Sequence, residues 1–132
     1  MRPARARRLE PRTALAVALE NAVEGCVFET FGAAIATFQA ARAEDPSVRA
    51  AFERIAVDER AHASLAEDVH VFLASRLDDA GRETVRRARE RAVARLRASR
   101  APGDDRARRA LGLPSTDEHQ ALARLIAEAV TA

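Results

Sequence analysis

Apolar residues recur at intervals of three or four residues in two long segments of the chain, and each series is interrupted by polar side chains. The first series consists of Val17, Asn21, Glu24, Phe28, Phe31, Ile35 and Phe38. The second consists of Phe52, Ile55, Glu59, His62, Leu65, Val69 and Leu73. This spacing is typical of one face of an α-helix. The pattern therefore predicts two long helices, α1 over about 13–43 and α2 over about 46–77, and we call the two series the α1 stripe and the α2 stripe.

Residues that favour helix ends bound both segments. Thr13 can cap the first helix, which we expect to run to about Ala43. Asp45 is a suitable N-cap for the second helix and Pro46 a suitable first residue, and this helix should continue to about Leu77. Since only a short turn separates the two helices, they must be antiparallel neighbours.

The rest of the chain predicts shorter helices. An arginine-dense helix should follow a turn at residues 78–81, a short helical turn should cover 104–111, and a last helix should follow a break at 112–115. Neither long helix can bury its stripe alone, so we expect the later helices to complete an antiparallel four-helix bundle. The sequence thus predicts an all-α domain over residues 13–132. Residues 1–12, with two prolines and no periodicity, should form a disordered basic arm.

Composition supports a helical chain and narrows its class. The chain has 32 Ala and 22 Arg, both strong helix formers, and only 5 Gly and 5 Pro for turns. A single cysteine, Cys26, permits no internal disulfide and is expected to be a small core residue. Neither a signal peptide nor an 18-residue apolar stretch is visible, so we expect a cytoplasmic protein that does not cross a membrane.

Charge is distributed unevenly along the chain. Residues 14–75 carry ten acidic residues and four arginines, and residues 76–109 carry twelve arginines and six acidic residues. The first segment could therefore attract a cation and the second an acidic partner. Nucleic-acid binding is disfavoured, because no aromatic residues are interleaved with the arginines. We expect a solvated helix face there, with Arg86–Glu90 and Glu83–Arg87 pairs.

The polar residues within the two stripes indicate metal chemistry. Glu24 lies in the α1 stripe, and Glu59 and His62 lie in the α2 stripe. An unpaired carboxylate in an apolar interior costs several kcal/mol, so it must be paired, protonated or bound to a cation. The Glu-x-x-His spacing puts both side chains on one helix face, and a Glu on the facing helix completes a pattern found in di-iron carboxylate bundles.

These residues resemble the ferritin-like superfamily, which includes rubrerythrin-like proteins. Glu24 is followed by Glu59 and His62 at the spacing of that superfamily, and the segments at 20–26 and 31–33 are similar to those of small bacterial ferritin-like proteins. The resemblance implies a ferritin-like bundle and a metal site with these three ligands. It further implies iron, with Mn or Zn as alternatives, and a ferroxidase- or peroxidase-like di-iron oxidoreductase if the protein is an enzyme.

The chain departs from that superfamily because it carries only half of the ligand set. The third helix should meet the level of Glu59 near Leu96, where Arg95, Arg97 and Ser99 are not ligands. A two-metal centre would then require a second chain, so we expect a homodimer in which each copy supplies half of the site. The alternative is a non-catalytic helical interaction module with a degenerate metal site.

The ligand from the first helix is open between two glutamates. Family spacing favours Glu24, whereas a turn centred near residue 45 puts Glu29 opposite Glu59. Glu29, however, falls on a face of small residues rather than on the α1 stripe. We take Glu24 as the first choice and Glu29 as an additional candidate.

Other candidate groups have simpler interpretations. Glu67 and His70 form a second Glu-x-x-His pair, but they are rotated away from Glu59 and are expected to be solvated. His119 should lie at the surface near the start of the last helix, beside the capping residue Glu118.

Overall fold

The computed structural model describes residues 11–131, and in this range it contains five helices and no strand. The first helix, α1, consists of α-helix over Ala14–Glu20, π-helix over Asn21–Glu29 and α-helix over Thr30–Arg42. The others are α2 (Pro46–Ala74), α3 (Asp79–Ala98), α4 (Asp105–Leu111) and α5 (Thr116–Ala129). The predicted all-α class is confirmed, whereas a ferritin-like four-helix bundle stays a prediction. Residues 1–10 of the predicted basic arm lie outside the described range.

The helix ends follow from local capping chemistry. The Thr13 hydroxyl accepts a hydrogen bond from the Ala16 amide at 3.1 Å, and the Asp45 carboxylate accepts one from the Ser47 amide at 2.7 Å. Ser115 begins α5 with a reciprocal capping box to Glu118. These caps satisfy amides that the helices leave without partners.

The π-helical segment of α1 was not predicted. In a π-helix each amide bonds to the carbonyl five residues earlier, so side chains five positions apart are stacked along the axis. In an α-helix the same residues point about 140° apart, because each residue adds about 100°. The α1 stripe therefore cannot be extended at a constant period through residues 21–29.

Helices α1 and α2 are antiparallel, as the short turn requires. Near the start of α1, the Asn21 side-chain amide donates to the Ala66 carbonyl of α2 at 2.8 Å. A Cβ atom placed on Gly25 would lie 2.8 Å from the Ala66 Cβ, so only glycine permits this approach of the two helices. Further along, Gly32 lies beside the Glu59 carboxylate.

The core forms on the small-residue face of α1. Ala22, Cys26, Ala33 and Ala36, which define this face, are all buried. Val27 of α1 packs in one cluster with buried residues of α3, of α5 and of the position after α5. These residues are Ala92, Val93, Leu96, Ala123, Ala127 and Val130. A second cluster joins α1, α2 and α3 through Ala18, Ala22, Leu73 and Val85. Short side chains let helix axes approach closely, which favours this face for the interior.

The apolar residues of the α1 stripe are half-buried, whereas part of the α2 stripe is exposed. Of all the stripe residues only Leu73 is buried. Ile55 is 41% exposed and Leu65 is 59% exposed, although both belong to the α2 stripe. The expectation that the later helices would cover the stripes holds in part, because Phe28 and Phe31 pack against the cluster of α3 and α5 while one flank of α2 stays open.

The outer surface of α3 is rich in arginine, and its predicted pairs are confirmed. Arg86 contacts Glu90, and Arg87 donates to Glu83 at 2.7 Å. Arg86 also donates to Glu83 at 2.7 Å, and the hydrogen bonds from Arg86 and then from Arg87 lower the pKa of Glu83 to about 2. Within residues 11–131 the helices are all too short or too polar to cross a membrane.

His119 is buried, which corrects its predicted place at the surface. Its ring packs edge-on against Phe31, with centroids 5.2 Å apart, and its Nε2 lies 2.8 Å from the Ser99 hydroxyl. That hydroxyl donates to the Leu96 carbonyl at 2.6 Å, so it accepts a hydrogen bond from the N–H at Nε2. Nδ1 is then the unprotonated nitrogen, and it has no hydrogen-bond partner within residues 11–131.

We expect the free energy of unfolding to fall as the pH is lowered below about 6.5. Burial lowers the pKa of His119 in the folded chain, so the unfolded state binds more protons in this pH range and acid favours it. Urea unfolding at pH 7.5 and 5.5 measures the effect. His119→Gln keeps a hydrogen-bond donor for Ser99 and should reduce the dependence of the unfolding free energy on pH. The dependence that remains is the contribution of His70, whose pKa is also lowered by burial.

The matched control is His62→Gln, measured without added metal and at a concentration at which the chain is monomeric, because the His62 ring is exposed in the single chain. This variant should keep the pH dependence of the original chain. An unchanged slope in His119→Gln, or an equal loss of slope in both variants, would contradict the assignment to the buried ring.

Candidate metal centre

Three of the four predicted ligands line one open groove. Glu24 and Glu29 reach it from α1 and Glu59 from α2, and the groove has a volume of about 440 Å³. Glu24 is exposed, while Glu29 and Glu59 are half-buried. Glu59 thus shares one groove with Glu24, which precedes it by 35 residues, and with Glu29, which precedes it by 30.

The π-helical segment explains why both glutamates of α1 reach this groove. Glu24 and Glu29 are five residues apart and both belong to Asn21–Glu29. Residues five apart are neighbours along the axis of a π-helix, whereas they diverge in an α-helix. The choice between Glu24 and Glu29 arose from assuming a regular α-helix. Asn21 and Gly25, poor helix formers within the segment, were the sequence signal for a departure from it.

The groove has an apolar lining around the carboxylates. Phe28 and Ile35 of α1 and Phe52 and Ile55 of α2 line it, and all four are stripe residues. Anything that packs over these side chains must also cover charged oxygens. The apolar side chains of the groove therefore favour association with a partner, whereas the desolvation of its carboxylates opposes it.

His62 is not among the residues that line the groove. It lies one turn beyond Glu59 on α2, and its ring is exposed. Across residues 11–131, no three side chains of the His, Cys, Asp or Glu types stand close enough to hold a metal ion. The described part of one chain therefore presents donors of the right chemistry without a complete ligand sphere.

The carboxylates of the two stripes are not buried within one chain, which corrects the expectation that they lie in an apolar interior. Glu24 and His62 are exposed and Glu59 is half-buried, and the residues that line the groove all belong to α1 and α2. A cation is therefore not required to stabilise the isolated chain. The cost of burial arises only if a partner covers the groove.

A cationic side chain close to the groove was also missed. The Arg95 guanidinium of α3 stacks over the Phe28 ring, 5.3 Å from its centroid. Phe28 lines the groove, so this positive charge stands near its edge. Arg95 belongs to the part of α3 that the sequence predicts beside Glu59, where the side chains are not metal ligands.

The second Glu-x-x-His pair has a structural partner on another helix. The Glu67 carboxylate accepts from Arg89 of α3 at 2.8 Å, and the Arg89 side chain is only 18% exposed. Glu67 and His70 are half-buried rather than fully solvated, and both line a cavity away from the three-glutamate groove. The interpretation of this pair as solvated surface is therefore corrected, and the pair contributes to α2–α3 packing.

Cys26 is a core residue, as predicted. It is fully buried, and its thiol lies 3.6 Å from the Ala66 carbonyl. Burial, followed by the nearby charge of Glu67, raises the pKa of the thiol to about 11. The thiol is protonated at neutral pH and is a poor nucleophile and a poor metal ligand.

Comparisons with protein-family models, with curated proteins and with solved structures give no match. The functional assignment therefore rests on the geometry of the groove and on the chemistry of its side chains.

Proposed function

We propose that this protein binds a divalent metal ion, iron in the first instance, and that two copies pair over the three-glutamate groove to complete a ferritin-like di-metal site. Glu24, Glu59 and His62 are the proposed ligands, with Glu29 as a further carboxylate. Each chain supplies half of the site. The finer fold prediction, a ferritin-like four-helix bundle in which the shorter C-terminal helices complete the two long ones, belongs to the same proposal.

The observation that carries this proposal is that three carboxylates line one open groove together with apolar stripe residues, of which Ile55 is exposed and the others are half-buried. Apolar surface of this kind favours association. Covering an unpaired carboxylate costs several kcal/mol, and the cost rises with each additional one. A bound divalent cation offsets that cost, so metal binding and pairing should support each other.

The donor set favours iron or manganese. Carboxylate oxygens are hard ligands, and one imidazole on the same helix face adds a nitrogen donor. Zinc accepts the same donors and is the third candidate. With iron bound, the site would supply the redox chemistry for oxidation of Fe(II) by O₂ or peroxide. The chain's own contribution would be to hold the ion and to exclude bulk water with the stripe side chains.

Pairing through α2 is supported by the exposed side chains on the flank of that helix. Ile55, His62, Leu65 and Phe72 follow one another at steps of three or seven residues, and the three apolar ones are 41%, 59% and 55% exposed respectively. A two-fold axis is the commonest closed arrangement for such a surface. It would bring two copies of Glu59 and His62 into one interface.

We expect Leu65→Glu to weaken self-association by more than about tenfold. Burial of a leucine side chain contributes about 1.5–3 kcal/mol, and about 1.4 kcal/mol corresponds to tenfold in affinity. Sedimentation equilibrium over a range of concentrations measures the change. The melting temperature of the original chain should also rise with protein concentration and with added Mn(II).

Leu125→Glu is the matched control, because Leu125 is 61% exposed on α5, outside the proposed interface. It should leave self-association within about twofold of the original chain. Equal weakening by both substitutions would place the interface elsewhere. No self-association of the original chain at high micromolar concentration would contradict pairing.

A helical interaction module without a working metal site is the second candidate. Exposed apolar residues outside the groove, such as Val57 and Val71 at 57% and 70%, favour contacts with another protein. Metal content after purification without chelator separates the two candidates. About one ion per chain supports the metal protein, and absence of metal together with failure to bind added Fe(II), Mn(II) or Zn(II) supports the module.

A further inference from the structure

A second cavity, of about 550 Å³, lies at the end of the molecule opposite the α1–α2 turn. It is formed where the start of α1, the end of α2, the first half of α3 and the residues after α5 meet. Its aliphatic lining consists of Ala18, Ala74, Leu77, Val85 and Val130. The volume falls within the range of about 300–1,000 Å³ that is typical of small-molecule sites.

Charged groups that also line the cavity have a net positive charge. Arg82, Arg86 and Arg89 contribute three positive charges, and Glu67 and Glu90 contribute two negative ones. The remaining ionisable group described there is the half-buried His70. Burial and the neighbouring Arg89 lower its pKa, which favours the neutral ring at pH 7. Asp79 and Glu83, outside the lining, pair with Arg82 and Arg86, so an anionic ligand would have to be received by these guanidinium groups in place of exposed ion pairs.

Arg89 is the most buried of the three guanidinium groups. Its Nε donates to the Val130 carbonyl at 3.0 Å, and its two terminal nitrogens face the Glu67 carboxylate at 2.8 and 3.5 Å. Glu67 is thereby neutralised by a fixed partner, so it does not repel an anion strongly. Arg89 uses three of its five N–H donors in these contacts.

Arg82 and Arg86 are more accessible. Their side chains are 46% and 56% exposed, and their carboxylate partners Asp79, Glu83 and Glu90 lie on the same helix. Ion pairs this exposed add little stability, so a ligand carboxylate can share or replace them at small cost. A planar guanidinium group binds a carboxylate through two parallel hydrogen bonds.

We propose that this cavity binds a small amphipathic anion, namely a monocarboxylate with an aliphatic chain of medium length. The aliphatic chain would lie against Leu77, Val85 and Val130, and the carboxylate would contact Arg82 and Arg86. The site is separate from the three-glutamate groove and does not depend on metal binding there.

Calorimetric titration of the full chain with decanoate, at concentrations below the critical micelle concentration, tests this proposal. We expect saturable binding of one decanoate per chain and no comparable binding of decyltrimethylammonium, which has the same tail and the opposite charge. The double variant Arg82→Gln/Arg86→Gln should bind decanoate at least about tenfold more weakly, since two charge-assisted contacts are lost. The matched double variant Arg91→Gln/Arg97→Gln, on the same helix but outside the cavity, should bind decanoate like the original chain.

A third variant tests the aliphatic part of the site. Ala74→Leu fills the cavity from a half-exposed position and should abolish decanoate binding while the chain remains folded. Leu65→Glu, on the exposed flank of α2, should not change it. No binding of decanoate, equal binding of the cationic and anionic amphiphiles, or loss of binding in Leu65→Glu but not in Ala74→Leu would overturn the proposal.

Discussion

Replacing Glu59 or His62 with alanine should abolish stoichiometric binding of Fe(II) or Mn(II), and Glu24→Ala should do the same. Loss of a residue that only hydrogen-bonds to a metal ligand lowers metal affinity by up to about 100-fold. Each of these substitutions removes a proposed ligand itself, so we expect metal affinity to fall by at least that factor. Glu29→Ala should weaken binding to a smaller extent, because Glu29 is proposed as an additional carboxylate. Calorimetric titration under anaerobic conditions for Fe(II), and in air for Mn(II), measures these changes.

Asp58→Ala is the matched control for the three ligand variants. Asp58 is an exposed carboxylate next to Glu59 on α2 and does not line the groove. Binding should survive in this variant, and also in Glu67→Ala and His70→Ala if these remain folded. Metal binding that persists in all three ligand variants, or that is lost equally in ligand and control variants, would show the assignment to be wrong.

Gly112→Ala should destabilise the fold by about 3 kcal/mol or more. Gly112 has a φ of +65°, which L-residues rarely adopt, and it ends α4 with the Leu113 amide donating to the Arg108 carbonyl at 2.9 Å. A Cβ atom there would lie 2.4 Å from the Ala43 nitrogen and 2.9 Å from the Gln39 carbonyl oxygen. These are backbone atoms at the end of α1, so the clash cannot be relieved by rotating a side chain. Denaturant unfolding followed by circular dichroism measures the loss.

Gly103→Ala provides the comparison. Gly103 also has a positive φ, of +80°, but a Cβ atom there would meet the Ala107 side chain at 3.2 Å and no backbone atom at a comparable distance. It should cost about 1 kcal/mol, mainly from the backbone conformation. Similar losses in the two variants would mean that the contact between Gly112 and the end of α1 does not contribute.

The helices and their ends could be predicted from the sequence because they depend on local chemistry. Periodic apolar residues define α1 and α2, and Thr13, Asp45 and Pro46 fix where they begin. These signals act over one or two turns, so no knowledge of the packing is needed to interpret them.

The buried faces could not be predicted in the same way, because two surfaces of α1 competed for burial. Large side chains form the α1 stripe, whereas Ala22 and Cys26 belong to the face that is buried. Hydrophobicity alone favours the stripe, but alanines on α3 and α5 fit the small-residue face more closely. His119 was missed for a related reason, since its burial depends on Phe31 and Ser99, which are distant in sequence.

The candidate site was predicted in part. Glu24, Glu29 and Glu59 were identified from spacing and from resemblance, and all three line one groove. Their common position depends on the π-helical segment, which a regular 3.6-residue period cannot represent. The position of Arg95 could not be predicted from ligand spacing, because a guanidinium group stacked on an aromatic ring is not a metal ligand.

Native mass spectrometry of the full chain, with and without Mn(II), tests the shared metal site most directly because it counts chains and ions in the same particle. We expect a dimer that retains Mn(II), and we expect Glu59→Ala to yield particles without the ion. A chain that remains monomeric at high micromolar concentration with and without Mn(II), or a dimer that never retains the ion, would contradict a metal site shared between two copies.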